Sequence, residues 1–299
     1  ILSLGQIEGR SIVTVEGLSE NSVHPVQAAM AENGSSQCGF CTPGIVVSLA
    51  GLLAENTQPT EEEIHDALAG NLCRCTGYKP IVEAAKAVAK GALVELPYLE
   101  SELPRSSATD SSGSVFHRPQ TLAKFFAIRA ANPAAVIVAG ATDLGVALAE
   151  HETSWPVAIW TGAVKELRQI NEDASSWTFG AAVTWSEILA KTADAYPSLA
   201  VLLRRFGSTQ IRNAGTIGGN IGTASPIGDG PPALIALGAK ITLASVRGEH
   251  SMPLEDFFID YRKTALHEDE IIMSVTIPKP VTGQHFRVWK GSKRYDQDI

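Results

Sequence analysis

The sequence lacks most features that mark membrane, nucleic-acid-binding or disulfide-rich secreted proteins. Its 299 residues include only four cysteines, and 24 Lys and Arg stand against 32 Asp and Glu. A formal charge of −8 without any basic run argues against nucleic acid or anionic membranes as partners, because both require clustered positive charge. The longest apolar stretches, such as residues 44–54, are shorter than the ~20 residues that cross a bilayer. No secretory signal is visible, so we expect a globular, cytoplasmic protein.

A change in composition along the chain indicates two domains. Residues 20–94 have helical periodicity, residues 95–114 are rich in serine, proline and acids like an interdomain linker, and residues 115–285 alternate short β-branched runs with helical patterns. The predicted fold class is therefore α+β and multidomain, with a four-helix domain before a mixed α+β domain. Predicted helices are 26–32, 45–54, 61–68, 81–90, 122–130, 185–191 and 197–205, and predicted strands are 135–139, 157–159, 177–179, 240–244 and 271–277.

All four cysteines fall into one pattern, with the spacing C-x2-C-x31-C-x-C over Cys38, Cys41, Cys73 and Cys75. The first pair precedes a predicted helix that opens at Pro43, and the second precedes one that opens at Pro80. Free N–H groups and the macrodipole at such helix ends favour thiolates. The pattern predicts one four-thiolate site, and Gly39, Gly44 and Gly77 would let backbone N–H groups approach the sulfurs.

Several kinds of site use four cysteines. Two disulfides would require an oxidising compartment, and the Cys73-Arg74-Cys75 spacing is awkward for a bridge within that pair. Structural zinc usually takes two C-x2-C pairs, so a C-x-C second pair favours an iron–sulfur cluster over zinc without excluding zinc. The C-x4-C-x2-C spacing of plant-type ferredoxins is absent, which indicates a helical cluster domain.

Two segments around the cysteines, Gln37–Gly44 and Asn71–Tyr78, resemble the signature loops of the helical [2Fe–2S] domain of the xanthine dehydrogenase family. The resemblance implies that the four cysteines bind a [2Fe–2S] cluster. It also implies a second, plant-type [2Fe–2S] domain before this one. Residues 1–19 resemble a C-terminal remnant of that domain, and residues 12–15 are expected to end one of its strands.

Two segments of the second domain are candidates for binding a flavin. Residues 136–144 form a predicted strand that runs into a turn of small residues, where the backbone N–H groups of residues 140–144 could bind a pyrophosphate. Residues 213–229 are rich in glycine, which costs backbone entropy and indicates close approach to a ligand, although a long surface loop is the alternative. No G-x-G-x-x-G motif follows a predicted strand, so the Rossmann fingerprint gives no support for dinucleotide binding.

Together these two segments resemble the FAD-binding domain of the same family, which has the vanillyl-alcohol-oxidase (PCMH) type of fold. The resemblance implies that the first segment lines the FAD pyrophosphate and ribityl chain through Ile137, Val138, Ala139, Gly140, Ala141, Thr142, Asp143 and Leu144. It further implies FAD contacts from the second segment and from single positions elsewhere, namely Phe206, Thr216, Gly219, Asn220, Asp229, Met273 and Lys290.

The family resemblance predicts an oxidoreductase component with no catalytic acid or base of its own. Electrons would pass from a molybdopterin-binding large subunit through [2Fe–2S] to FAD and on to NAD, during oxidation of hypoxanthine and xanthine to urate. The purine assignment rests on residues 257–266, which resemble the small subunit of bacterial xanthine dehydrogenases. Residues 293–299 correspond to a loop where NAD would dock, and residues 286–299 would begin the C-terminal flavoprotein region.

Two other functions remain open from the sequence. An aldehyde, carbon monoxide or N-heterocycle hydroxylase uses the same pair of modules, so its iron–sulfur flavoprotein part would have the same motifs. A zinc-stapled interaction module without redox function would also account for the four cysteines. The first alternative changes only the substrate of the partner, whereas the second leaves the chain without any electron-transfer function.

Overall fold

The computed structural model describes residues 3–19, 22–90, 96, 107–109, 113–150 and 155–292. The chain divides into two units. The mixed unit comprises Ile1–Glu8, Pro104–Phe206 and Ile211–Ile299, and the helical unit comprises Gly9–Leu103 and Gly207–Gln210. In the described part of the chain, no helix combines the length and apolarity that a membrane span requires.

The mixed unit contains both helices and strands, whereas the helical unit has helices and no strand among its described residues. The helices are α1 (Leu4–Ile7), α2 (Pro25–Glu32), α3 (Thr42–Glu55), α4 (Glu61–Leu68), α5 (Lys79–Val88), α6 (Leu122–Ala131), α7 (Leu144–Ala149), α8 (Trp185–Thr192), α9 (Pro197–Arg204), α10 (Thr209–Ala214), α11 (Ile217–Gly222), α12 (Gly230–Ala236) and α13 (Leu254–Phe257). The strands are β1 (Ser107–Thr109), β2 (Val115–His117), β3 (Val136–Val138), β4 (Val157–Trp160), β5 (Ile170–Glu172), β6 (Ser176–Gly180), β7 (Lys240–Ser245), β8 (Gly248–Pro253), β9 (Phe258–Asp260), β10 (Lys263–Thr264) and β11 (Ile271–Pro278).

In the helical unit, α2 packs mainly against α5 and α3 packs mainly against α4. Fully buried side chains from three of these helices meet in its core, among them Leu49, Ile64 and Ile81. Each such side chain contributes about 1.5–3 kcal/mol relative to an exposed one. Cys73 is buried at the margin of this core, so one end of the packed helices carries part of the thiol site.

The four helices begin in two different ways. Helix α4 has a capping box, in which Thr60 Oγ1 accepts from the N–H of Glu63 at 3.2 Å and the Glu63 carboxylate accepts from the N–H of Thr60 at 2.7 Å. Helix α2 has a similar box built on His24 and Gln27. Helices α3 and α5 instead have a proline in the first turn and no side-chain cap. The two helix ends that follow the cysteines therefore keep backbone N–H groups for other partners.

The mixed unit contains two larger sheets. One has the order β1-β2-β4-β3, in which β2, β4 and β3 are parallel, so a helical crossover, α6, connects β2 to β3. The other is an antiparallel sheet with the order β5-β6-β11-β7-β8. Strand β11 lies at its centre, and Val275 and Ile277 on that strand are fully buried. Helices pack over the sheet and close the core, including α8, α9 and α11.

The segments with strong periodicity are confirmed as helices and strands. The observed ends agree with the predicted ones or differ by at most three residues, as at α3, which begins at Thr42 rather than at residue 45. Elements with weak patterns were not predicted, notably α10, α11, α12 and the β9–β10 hairpin at residues 258–264. Of these elements, α11 and α12 bury apolar side chains in the core, so packing rather than intrinsic propensity accounts for them. The β9–β10 hairpin is largely exposed, with Ile259 and Tyr261 at the surface.

Two predictions about the termini of the domains are wrong. Residues 12–15 are not a strand, since no strand among the described residues pairs with them, and an unpaired strand has no ladder to stabilise it. The predicted linker at 95–114 contains strand β1, which pairs antiparallel with β2. Backbone pairing at a sheet edge needs no apolar side chain, so this strand left no signal in the sequence. The other linker residues except 96, 113 and 114 lie outside the described part of the chain.

Residues 3–8 belong with the mixed unit, whereas residues 9–19 belong with the helical unit. Arg118, which is 1% exposed, donates to the carbonyl of Gly5 at 2.9 Å and forms an ion pair with Glu8. The predicted ferredoxin-domain remnant at residues 1–19 is therefore divided between the two units, and its origin stays a prediction.

Candidate cofactor sites

The two cysteine loops lie at the same end of the helical unit. Cys41 is the N-cap residue of α3, and Cys73 and Cys75 lie in the loop that ends at Tyr78, the N-cap residue of α5. This confirms that both loops lead into helix N-termini. All four thiols are free; Cys38 and Cys75 are exposed and Cys73 is buried.

The thiols approach one another in pairs that join the two loops. The Sγ atom of Cys75 lies 3.5 Å from that of Cys38. Cys41 and Cys73 lie close enough for each thiol to shift the pKa of the other. Among the residues described, no three Cys, His, Asp or Glu side chains surround a point where one metal ion could bind. The approach of thiols from both loops fits one site with four cysteine ligands, and the C-x-C spacing favours a two-iron cluster over zinc there.

In each thiol pair, the pKa of one cysteine is lowered and that of the other is raised. A hydrogen bond with the Thr76 hydroxyl lowers the pKa of Cys73 to about 7. Burial raises the pKa of Cys41, and contact with Cys73 raises it further. In the other pair, the backbone N–H of Phe40 lowers the pKa of Cys38, and the pKa of Cys75 is raised by its hydrogen bond to Cys38. The donor set is therefore partly prepared to release protons when iron binds.

The glycines of these loops serve two different purposes. Gly39 and Gly77 have φ angles of +81° and +67°, a region that favours glycine, and they turn the chain tightly beside the cysteines. The expectation that Gly44 brings a backbone N–H towards the sulfurs has no support. A methyl group at Gly44 would lie 2.7 Å from the side-chain oxygen of Asn71, so this glycine is required by packing between the loops.

In the mixed unit, the first candidate segment presents unused backbone donors. Strand β3 ends at Val138, and Ala141 follows with a φ angle of +59°, which is uncommon for a residue other than glycine. Within the described part of the chain, the backbone N–H groups of residues 140–144 donate no hydrogen bond to the protein. Consecutive free N–H groups around a left-handed residue form an anion-binding concavity.

The structure brings the two candidate flavin segments together. A methyl group at Gly140 would lie 2.0 Å from the carbonyl oxygen of Ala214, and one at Gly219 would lie 3.2 Å from the Cβ atom of Ala139. The segments thus pack backbone against backbone. Ala214 was not predicted as a site residue, and alanine in an irregular segment carries no signal that could have shown it.

Packing explains part of the glycine density of residues 213–229, and the approach of this segment to a ligand stays a prediction. The segment contains helix α11, and Thr216 caps it by accepting from the N–H of Gly219 at 3.0 Å. A methyl group at Gly218 would lie 2.5 Å from the Cβ atom of Ala181, so this position is small because α11 packs against the protein. The alternative of a long surface loop is wrong, because Ile217 and Ile221 are fully buried.

An aromatic pair and an ion pair flank the second segment. Phe206 packs on Trp185 with 5.0 Å between ring centroids, and a methyl group at Gly230 would lie 2.7 Å from the Trp185 ring. Lys290, whose side chain is 5% exposed, pairs with Asp229 at 2.7 Å and donates to the carbonyl of Arg205 at 2.9 Å. These contacts join residues that the sequence offered only as separate positions.

The two remaining predicted positions lie on regular elements. Asn220 is on α11, and its Oδ1 atom is buried without a hydrogen-bond partner among the described residues. Met273 is the bulged residue of β11, where the register with β7 shifts, and its carbonyl accepts from the N–H of Ala181 at 3.0 Å. A bulge changes the direction of a strand and often lies beside a functional site.

In the comparison with known proteins, two different family models match two separate stretches of the chain. A family model described as the FAD binding domain in molybdopterin dehydrogenase matches residues 109–280, and a [2Fe-2S] binding domain matches residues 14–86. Xanthine dehydrogenase of Drosophila subobscura is 33% identical over 98% of this chain, and xanthine dehydrogenase/oxidase of Gallus gallus is 31% identical over 97%. The chain spans 27% of the length of each.

Solved structures of related enzymes share the fold. Quinoline 2-oxidoreductase from Pseudomonas putida 86 is 27% identical with a TM-score of 0.56, over 60% of this chain and 64% of that one. Carbon monoxide dehydrogenase from Hydrogenophaga pseudoflava is 27% identical with a TM-score of 0.53, over 56% of this chain and 60% of that one.

The fold, the thiol site and these matches define an iron–sulfur flavoprotein of the molybdenum hydroxylase class. The chain belongs to the xanthine dehydrogenase family, and its cofactors are [2Fe–2S] and FAD. The predicted α+β multidomain fold is thereby confirmed.

Proposed function

We propose that this chain is the electron-transfer part of a xanthine dehydrogenase. Electrons from a molybdenum site on a molybdopterin-binding partner enter a [2Fe–2S] cluster on Cys38, Cys41, Cys73 and Cys75. They continue to FAD in the mixed unit and from there to NAD, while the partner oxidises hypoxanthine and xanthine to urate. The observation that carries the proposal is the meeting of thiols from the two loops, with 3.5 Å between the Sγ atoms of Cys38 and Cys75.

The cluster supplies one-electron chemistry when it is bound, and the protein holds it. Two thiols with lowered pKa values, Cys38 and Cys73, are the first candidates to bind iron as thiolates. Cys73 lies buried at the edge of the helical core, whereas Cys38 and Cys75 are exposed. One side of the cluster is therefore anchored in the core, and the other side is accessible to a redox partner.

In the mixed unit, the residues bind and orient the flavin. The free N–H groups of residues 140–144 are suited to the FAD pyrophosphate, because they offer donors without a competing internal acceptor. Asn220 has a buried oxygen that no described residue hydrogen-bonds, which is suited to a donor on the cofactor. Lys290 and Asp229 neutralise each other, so we assign them to fixing the wall of the site.

Two exposed apolar side chains beside the cysteines support docking of a molybdopterin-binding partner at the cluster loops. Phe40 is 95% exposed and Leu72 is 78% exposed, and each is adjacent to a cysteine. Large apolar groups at a surface gain energy when a partner covers them, and aromatic anchors are common at the centres of interfaces.

The assignment to xanthine rather than another substrate rests on the relatives that match both units of the chain. Xanthine dehydrogenases align with 97–98% of its sequence. Residues 257–266, the other basis for this assignment, form the β9–β10 hairpin and its approach. The predicted NAD-docking residues 293–299 lie outside the described part of the chain.

The purified protein tests the electron-transfer function directly. We expect flavin and iron–sulfur absorption bands, about two irons per chain and no stoichiometric zinc. A colourless protein with one zinc per chain would instead establish the zinc-stapled module. The substrate is tested separately by co-purifying the partner and measuring NAD reduction with xanthine, quinoline, an aldehyde or carbon monoxide as the electron donor.

A further inference from the structure

The second cysteine loop contains a hydroxyl group aimed at a sulfur. Thr76 Oγ1 lies 3.2 Å from Cys73 Sγ and also accepts from the N–H of Tyr78 at 3.2 Å. A cysteine bound to iron has no S–H proton, so in that state the hydroxyl must donate. The N–H of Tyr78 already occupies one lone pair of the oxygen, which leaves the hydroxyl proton for the sulfur.

From this geometry we propose that Thr76 sets the reduction potential of the [2Fe–2S] cluster by hydrogen-bonding Cys73 Sγ, and that Tyr78 positions the loop for this contact. One-electron reduction adds one negative charge to the site, and a donor to a ligand sulfur stabilises that added charge. No bond of Thr76 forms or breaks, and no proton leaves it. The inference rests on the proposed ligation by the four cysteines.

Tyr78 holds the loop from the other side. Its hydroxyl accepts from the N–H of Cys73 at 2.8 Å and donates to the carbonyl of Asn71 at 3.4 Å. The residue has a φ angle of +68°, directly after Gly77 at +67°. A tyrosine in the left-handed region is strained, and such strain persists only where surrounding contacts enforce it. These hydrogen bonds identify what enforces it here.

The first cysteine loop lacks the corresponding contact. Thr42 follows Cys41 as Thr76 follows Cys75, yet its hydroxyl lies 2.7 Å from Ser36 Oγ and thus has a hydroxyl partner. Among the described residues, no other side-chain hydroxyl is hydrogen-bonded to any of the four cysteine sulfurs. The two loops are therefore not equivalent. Removing the hydroxyl of Thr76 should change the reduction potential of the cluster, whereas removing that of Thr42 should not.

The test is an EPR-monitored redox titration of the full chain with Thr76→Val. We expect the variant to lower the reduction potential by about 59 mV, a tenfold change in the one-electron equilibrium, because one hydrogen bond to a charged acceptor is lost. Thr76→Ser keeps the hydroxyl and should restore the potential. Thr60→Val, which removes the capping hydroxyl of α4, should lower stability without moving the potential.

Each outcome of the titration decides a different point. An unchanged potential in Thr76→Val with the cluster intact overturns the inference and leaves the ligation standing. If Thr76→Val and Thr76→Ala both lose the cluster while Thr76→Ser keeps it, the hydroxyl holds the cluster rather than tuning it, and the inference is again wrong. The absence of any cluster signal in the unaltered protein contradicts the proposed function itself.

Discussion

The helical unit and the mixed unit build their sites from different parts of the chain. In the helical unit, the candidate ligands are four side chains of one type, which two loops bring together at the ends of α3 and α5. In the mixed unit, the candidate pyrophosphate site is backbone, since residues 140–144 contribute N–H groups and their side chains are small or apolar apart from Thr142 and Asp143.

This difference determines which substitutions each site tolerates. A thiolate site depends on the chemistry of its side chains, so a change of one atom removes a ligand. A backbone site depends on conformation and close packing, so it is damaged by added volume rather than by altered chemistry. The four predictions below test that contrast, in order of decreasing effect.

The largest effect is expected from Cys73→Ser. Replacing this sulfur by oxygen removes a ligand from the buried side of the cluster, so the EPR signal of the reduced cluster should disappear. FAD in the mixed unit should remain at one per chain, because its site uses no cysteine. An undiminished signal would show that Cys73 is not a ligand.

Gly140→Ala should have the next largest effect and act on the other unit. The added methyl group would lie 2.0 Å from the carbonyl oxygen of Ala214, and overpacking of this kind costs about 1–3 kcal/mol or more. We expect loss of FAD, measured by flavin fluorescence, with the cluster signal retained. Gly291→Ala is the matched control, since no atom of the described residues lies within 4 Å of its added methyl group. Equal flavin loss in both variants would refute the packing argument.

Lys290→Met is expected to have an intermediate effect. It leaves the Asp229 carboxylate, which is 24% exposed, without its partner, and we expect a cost of about 1–3 kcal/mol in the free energy of unfolding with weaker FAD binding. Lys279→Met breaks a more exposed pair with Glu172 and should cost less, because solvent screens exposed pairs. Denaturant titrations followed by tryptophan fluorescence compare the two, and a larger loss in Lys279→Met would contradict the assignment.

The smallest effect concerns the acid stability of the mixed unit. Hydrogen bonds from Ser175 and Ser176 lower the pKa of Asp173 to about 2, and ion pairs with Lys191 and Lys279 lower the pKa of Glu172 to about 2. Both groups therefore stabilise the folded state above the pKa of about 4 in the unfolded chain, and that stabilisation is lost as the pH falls from about 4 to about 2.

Asp173→Asn tests this pH dependence. The variant should be less stable at neutral pH and should lose less stability on acidification, while the contribution of Glu172 remains. Thermal unfolding midpoints measured at several pH values provide the comparison. Identical pH profiles for the two proteins would exclude Asp173 as a source of the effect.

The sequence by itself determined the cysteine site to a large extent. The signals are local: Cys41 lies two residues before Pro43, Cys75 precedes Gly77, and Thr60 with Glu63 caps a helix through neighbours only three residues apart. The strand and turn at residues 136–144 are local in the same sense. Such features depend on short-range propensity and capping, and the residues responsible are neighbours in the sequence, so they can be predicted from it.

Only the tertiary structure decided which residues meet across long separations. It pairs Cys38 with Cys75, packs Gly140 against Ala214 and joins Asp229 to Lys290. It also turned residues 217–222 into a buried helix, where the sequence had indicated a glycine-rich ligand loop. The physical reason is that each of these contacts depends on the packing of the whole core around it, which the local pattern at either residue does not contain.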